Sequence, residues 1–408
     1  MVRFHALRQS SRLNNFWSLW TATALSNLAD GVFKLALPLF AAHLTDSPGL
    51  IAGVALAIRL PWLLFSLPAG ALADHYDRNR LMISANFVRV IILGVLALGI
   101  VFNGMTLPLV FLAALALGIA ETLADTAASS VLPSIVEMDE LERGNARLVG
   151  VTIVTNEFIG PPLGGAIAAL SLALAFATSS ALYGVAALAL LLMVGSFRPV
   201  RVNAPRSQML PNIIIGLRYV WSQPLLRTLA IMVAVMNVGW SAWASVMVLY
   251  LVTPGPGGLS EFGYGILLTS IGLGGVAGTF LSVKWVQRFG RRSAIGVDIL
   301  GTFVMLAIPA FTANAWAIGA AAIIGGIGGA MWSIVVSSLR QQIVPDTMLG
   351  RTSGVFRLFG YGALSVGAAM AGGLAEIAGL PAVFAFCAVL AALLFIPFSR
   401  VQIPERES

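Results

Sequence analysis

An α-helix needs roughly 20 apolar residues to cross the hydrocarbon core of a bilayer, and this chain repeats such stretches from end to end. Twelve can be drawn, with soft ends, at about 17–42, 49–73, 81–102, 107–132, 148–169, 172–196, 227–252, 263–287, 294–312, 315–338, 353–375 and 380–399. Only 10% of the 408 residues are charged and 58% are hydrophobic, whereas a soluble domain carries about 25% charged residues. Such a chain cannot cover a surface facing water, so lipid is its solvent. Gly and Pro inside the stretches are tolerated in membrane helices. The stretches are too long for strands and do not alternate apolar with polar residues. The reading is an all-α membrane protein with twelve transmembrane helices.

Lys and Arg orient these helices. The connectors after the first, third, fifth, seventh, ninth and eleventh stretches contain neither residue. The opposite side holds Arg78, Arg80, Arg143, Arg147, Arg198, Arg288, Arg292 and Arg400, among others. This asymmetry predicts that both termini are cytoplasmic. The formal charge of +7 is then topological, and no nucleic-acid partner is expected. The first stretch is too long for a cleavable signal peptide. Cys387 is the only cysteine, which rules out a disulfide framework and a cysteine metal cluster. There is no P-loop, dinucleotide fingerprint, His pair at ligand spacing or serine-nucleophile elbow. No enzymatic activity, cofactor or metal is expected.

The chain also repeats itself weakly at an offset of about 210 residues. LSNLADGVFKLALPLF (25–40) aligns with VMNVGWSAWASVMVLY (235–250), LADHYDRNRLMI (72–83) with WVQRFGRRSAIG (285–296), and Pro133 with Pro345. Two parallel repeats of six spans are a recurrent transporter design, with the substrate site between them near the midplane. The expected organisation is two pseudo-symmetric six-helix bundles, 1–196 and 227–408. Between them lies a cytoplasmic linker, 197–226, whose NIIIGLRYVW segment predicts an amphipathic helix on the inner leaflet.

Two motifs carry a family resemblance. GALADHYDRNR (70–80) resembles the cytoplasmic loop signature of the major facilitator superfamily, Gly-x-Leu-Ala-Asp-Arg-x-Gly-Arg-Arg. Gly70, Leu72, Asp74 and Arg78 match, His75 replaces an Arg and Asp77 replaces the second Gly. VQRFGRR (286–292) is similar to the degenerate copy in the second half. GPPLGG (160–165) resembles the Gly-Pro-x-x-Gly-Gly of the fifth span in drug exporters that run as proton antiporters, with Asn156 in place of an upstream Gly. The Arg usual in the fourth span of those antiporters is missing from LAALALGIAETLADT (112–126). The runs SNLADGVFKLALPLF, LPAGALADHYDRNR and LPSIVEMDELERGNAR resemble the branch containing macrolide and enterobactin-type siderophore exporters, which commonly lacks this Arg.

That resemblance implies roles for both motifs. Gly70, Asp74, Arg78 and Arg80 would form a conformational latch through charge-assisted bonds; the alternative is a charge cluster that only fixes topology. In the fifth span Gly160, Pro161, Gly164 and Gly165 remove side chains and backbone donors, giving a kinked face for close packing. The face would seal the outer side against VGAAMAGG (366–373) of the eleventh span, or serve ordinary packing.

Charges inside the membrane are expensive and normally face a cavity or a partner. Asp30, Lys34, Arg59, Glu121, Asp125 and Glu157 fall deep in the first-half stretches, four acids against two bases. Asp30 with Lys34, and Glu121 with Asp125, are four residues apart and share a helix face. They could be structural pairs. Alternatively, an acid in excess, its ionisation opposed by burial and a like-charged neighbour, would load a proton outside and release it inside. The aromatics Phe33, Trp62, Trp240, Trp243 and Trp332 could line an apolar substrate wall or pack the core. Deep amides look scarce, which argues against a sugar importer.

Together these features predict a secondary active exporter of amphiphilic small molecules, drug-like or siderophore-like, working by alternating access and exchanging substrate for protons. Its partners would be such a substrate, protons and the lipid of a bacterial plasma membrane, with the chain as a monomer. A nutrient uptake permease and a lysophospholipid flippase of the same fold remain as alternatives.

Overall fold

A computed structural model describes residues 2–73, 75–137, 140–198, 209–400 and 403. The described residues are helical almost throughout, and their only extended pairing is an isolated bridge between Val252 and Leu259. Among the described residues, nine helices are long and apolar enough to span a bilayer. Broken helices supply the other spans. The second span is α2 (Pro48–Leu64) plus α3 (Ser66–Ala73). The fifth runs through α6 (Leu141–Thr152), a π-helical segment (Ile153–Ile159) and α7 (Gly160–Leu170). The eighth and ninth spans are continuous in α11 (Glu261–Phe311) except at Gly290, whose φ of 80° and ψ of 167° break the helix. A residue with a side chain is strained at such a φ, and Gly is not.

The chain divides into two compact units. Unit 1 comprises Met1–Asp46, Ala57–Arg201 and Ser260–Ile266; unit 2 comprises Ser47–Leu56, Val202–Leu259 and Leu267–Ser408. In unit 1, α1 (Val2–Leu44) and α4 (Arg78–Val101) both pack on α8 (Leu172–Leu191), and α4 also packs on α5 (Leu107–Ile135). Phe16, Leu19, Met82, Leu132, Leu190 and Phe197 close the core at one end of these helices. Small residues set the closest approaches. A side chain at Gly118 of α5 would run into the Ile58 carbonyl of α2.

Unit 2 contains α9 (Met209–Ser222), α10 (Pro224–Leu251), most of α11, α12 (Ala315–Ile343), α13 (Asp346–Ala378), α14 (Leu380–Leu393) and α15 (Phe395–Arg400). Its core gathers Leu229, Met232, Ile295, Ile299, Val335 and Leu339. Gly274 and Gly278 of α11 lie directly on the backbone of α12 at Ile323 and Ile327. Such backbone contact is how helices associate where lipid removes the hydrophobic drive. In both units, large apolar side chains such as Phe87, Leu112, Leu188 and Phe280 point outward, as a lipid solvent permits.

The linker helix forms as α9, although residues 199–208 of the linker lie outside the described residues. It docks on α13: Gly216 lies against the backbone of Arg351, and Trp221 stacks on Phe359 with ring centroids 5.8 Å apart. Ile214, Ile215 and Leu217 stay exposed on its outer face.

Candidate functional site

The deep charges of unit 1 form one network across α1, α4, α5 and α8. Lys34 Nζ donates to Glu121 Oε1 at 2.9 Å and lies 4.0 Å from Asp30 Oδ1. The Tyr183 hydroxyl donates to the same Asp30 oxygen at 2.5 Å. The guanidinium of Arg89 sits over the Tyr183 ring, 4.8 Å from its centroid, and Arg89 Nη1 donates to Asn86 Oδ1 at 3.5 Å. Arg59 lies within electrostatic range of Glu121. Asp30, Glu121 and Arg89 are 4%, 8% and 2% exposed. Buried charge on this scale persists only when paired and hydrogen-bonded.

Glu121 and Asp125, one helical turn apart, have different environments. Glu121 is buried on Lys34. Asp125 is exposed and lines a cavity of about 280 Å³, together with Arg89, Asn27, Asn86 and Asn145. The fold gathers these three asparagines on one cavity. Arg89 and Tyr183 escaped the sequence reading. Arg89 was readable by the same rule as the others, being an ionisable residue in the middle of an apolar span. Tyr183 carried no signal, because an aromatic in a membrane helix reads as packing. With Arg89 counted, the balance is four acids against three bases instead of two.

The fifth span was expected to kink at its prolines. Instead the turn before them widens into the π segment Ile153–Ile159, with the Gly160 N–H reaching back to the Thr155 carbonyl. Pro161 and Pro162 lack donors, and their rings crowd the carbonyls four residues back, so the preceding turn opens to the wider hydrogen-bond pattern. Glu157 lies in this segment and is exposed, within electrostatic range of Lys34. Neither Glu157 nor Asp125 makes a hydrogen bond to the described residues.

The small-residue face is buried, and within unit 1 it meets the first span and the start of α11. A Cβ on Gly160 would lie 2.6 Å from Gly31 Cα of α1, and one on Gly164 2.9 Å from Val32 Cα. Gly165 and Pro161 meet the backbone at Glu261 and Gly265, at the start of α11. In the eleventh span, Gly367 packs on Val238 and Gly372 on Gly49.

In the 70–80 loop, Asp74 lies outside the described residues. Arg78 donates to the Ser130 carbonyl at 2.7 Å and to the Ala73 carbonyl at 3.3 Å, while Arg80 is exposed and Gly70 half-buried. The structural carboxylate is Asp77, where the motif has Gly. It caps α4 by accepting from Asn79 N and Arg80 N, and accepts from Phe197 N at 2.9 Å. An Asp immediately before a helix is the ordinary cap signal, which comparison with the motif obscured.

The aromatics separate as well. Phe33 and Trp243 are buried, at 1% and 0% exposure, in packed interiors that leave no face for a ligand. Trp62 and Trp240 are half-buried, and Trp332 lines a cavity in unit 2. Among the described residues no group of His, Cys, Asp and Glu could hold a metal ion.

Twelve spans in two helical units, with a polar charge network inside the first, define a membrane transporter of the major facilitator type. Solved structures share the fold: the nucleoside transporter NupG at a TM-score of 0.71 and 13% identity, covering 96% of this chain and 98% of that one. A bacterial homologue of the iron transporter ferroportin gives 0.71 at 16% identity, covering 95% and 99%. The profile of the transmembrane secretion effector family matches residues 7–408, and the chain belongs to that family. It is similar to the multidrug efflux pump Tap of Mycolicibacterium fortuitum, with 27% identity over 89% of this chain and 90% of that protein. It is also similar to the enterobactin exporter EntS of Shigella boydii, with 24% identity over 88% and 85%.

Proposed function

We propose that the chain is a secondary active exporter of amphiphilic small molecules that exchanges substrate for protons. It would be a monomer in a bacterial plasma membrane, with both termini in the cytoplasm and the halves 1–196 and 227–408 rocking about the linker 197–226. Gly70, Asp74, Arg78 and Arg80 form the latch, and the Gly160–Gly165 face forms the seal. Relatives named for drug and siderophore export support the direction. The observation that carries the coupling is the charge count of the network. Lys34 and Arg59 attend Glu121, and Tyr183 with Lys34 attends Asp30. Arg89 shares the open cavity with Asp125. Four acids against three bases leave one carboxylate over. Of the two acids without a hydrogen bond to the described residues, Glu157 lies outside the cavity that Asp125 shares with Arg89, and it carries the exchanged proton. Protonation neutralises a charge that is costly inside the membrane, so a cycle of loading and release can bias two conformations.

The test is accumulation of labelled amphiphiles, macrolides and a catechol siderophore in an exporter-deficient bacterium, with and without a protonophore. The wild type should lower accumulation of some compound, and the protonophore should abolish that effect. Glu157→Gln at equal membrane expression should abolish it as well, while Asp125→Asn retains part. Unchanged or raised accumulation with the wild type would overturn export and favour uptake or lipid movement.

A further inference from the structure

One buried acid lies outside the charge network. Asp298 of α11 is 1% exposed and sits in the ninth span, after the break at Gly290. Gly328 of α12 makes the room it occupies: a Cβ there would lie 2.5 Å from Asp298 Cα and 3.1 Å from its Oδ1. The same two helices also touch where Gly301 lies on the Ile324 carbonyl. Ile295 and Ile299 flank the acid in the apolar core of unit 2. The Thr302 hydroxyl, one turn on, is within hydrogen-bonding reach. Oδ2 is sealed from solvent and meets no donor among the described residues.

None of the cations on the surrounding elements pairs with Asp298. On its own helix Arg292 donates to the Phe398 and Ser399 carbonyls at 3.1 Å, and Arg291 has partners of its own. Arg227 of α10 and Arg400 of α15 are exposed near helix ends, and α14 carries no charge. The one charge of α12 is Arg340, about three turns beyond Gly328, and it too has partners of its own. Unit 1 is the internal contrast, because there Asp30 and Glu121 share Lys34.

From an acid sealed between two helices without a counter-ion, we infer that Asp298 is a proton-binding site of unit 2. It holds a proton while α12 is seated on α11 and releases it when the two helices part. A buried carboxylate that lacks a partner is too costly to persist, and the group neutralises instead. Protonation also gives the carboxyl a donor of its own. Once α12 moves off, water reaches the carboxyl and ionisation loses its penalty. The two packings then differ by one bound proton, which ties pH to the contact between α11 and α12. Asp298 lies toward the end of its span that the Lys and Arg distribution assigns to the cytoplasm, so the exchange is with that side. The inference rests on the antiport reading only for what the proton drives.

The experiment uses the purified full chain in detergent, with and without aspartate labelled with carbon-13 in its side-chain carboxyl. The infrared spectrum of the wild type minus that of Asp298→Asn, at neutral pH, should show the carbonyl band of a protonated carboxyl. The label and heavy water should both move it. Thr302→Val keeps the acid and should shift the same band, which assigns it even if Asp298→Asn does not fold. Denaturant titration gives a second reading. Above about pH 4 the unfolded chain has released this proton and the folded chain has not. The unfolding constant of the wild type relative to Asp298→Asn should therefore rise with pH, by up to about tenfold per unit. It should level off where the folded chain also gives up the proton. A wild type without a carboxyl band that either variant removes or shifts would overturn the proposal. So would a relative unfolding constant that stays flat through the neutral range, the mark of an acid ionised in both states. The band together with export that ignores a protonophore would sink the antiport reading and leave the proton site standing. Protonophore-sensitive export without the band would do the reverse.

Discussion

Consider adding one methyl group to the fifth span, Gly160→Ala. The new Cβ would lie 2.6 Å from Gly31 Cα, 2.8 Å from the Thr155 carbonyl oxygen and 3.1 Å from Gly31 C. Carbon atoms prefer about 3.5–4.0 Å, and all three of these neighbours are backbone, so no side chain can swing aside. The first span must retreat by about 1 Å to restore contact distance. Overpacking of this kind costs about 1–3 kcal/mol, and contact on two sides places this site at the upper end. Replacing Gly by Ala inside a helix returns roughly 0.5–1 kcal/mol, which leaves a net loss of about 2 kcal/mol. The control is Gly150→Ala in α6, where a Cβ meets nothing within 4 Å and only the gain should appear. Denaturant titration of helical circular dichroism in detergent would rank the two variants. Gly31→Ala loads the same contact from the other side, so the double variant should lose less than the sum of the singles. Equal stability of Gly160→Ala and Gly150→Ala would refute the claim that these two helices touch backbone to backbone.

Two more outcomes follow from the site. Lys34→Met takes from buried Asp30 and Glu121 the cation that they share. The loss should fall at the lower end of about 3–5 kcal/mol, because 32% of the lysine side chain is exposed; adding Glu121→Gln should recover part of it in the same titration. Asp77→Ala removes the α4 cap and the acceptor for Phe197 N, costing about 2 kcal/mol from one cap and one further hydrogen bond, while Asp77→Asn should keep most of the stability; thermal unfolding of the two variants decides it.

The spans were legible because lipid imposes a length and a composition on each one separately. Breaks inside spans were less so: Gly290 separates two helices that the basic VQRFGRR loop already marked, yet nothing in IVTNEFI announces a π turn except the prolines that follow it. Single charges were readable from depth, as with Asp30 and Glu121. Their partners were not, since Lys34 chooses between an acid on its own helix and one 87 residues away, and only packing decides. Phe33 and Trp243 failed as cavity residues for the same reason. A sequence gives the size of a side chain and its helix face, but the face that meets another helix and the face that meets a cavity carry the same apolar signature.

The π segment also changes how the fifth span can be altered. In a regular helix each residue turns the face by about 100°, so Glu157, three residues before Gly160, would sit near the buried Gly160 face. The widened turn acts as a one-residue register slip, letting the glycines press on the first span while the acid stays exposed. Deleting one residue from 153–159 would remove that slip, and the two ends of the span would then compete for a single orientation. The length of this short stretch is thus as much a determinant of the site as the identity of the acid within it.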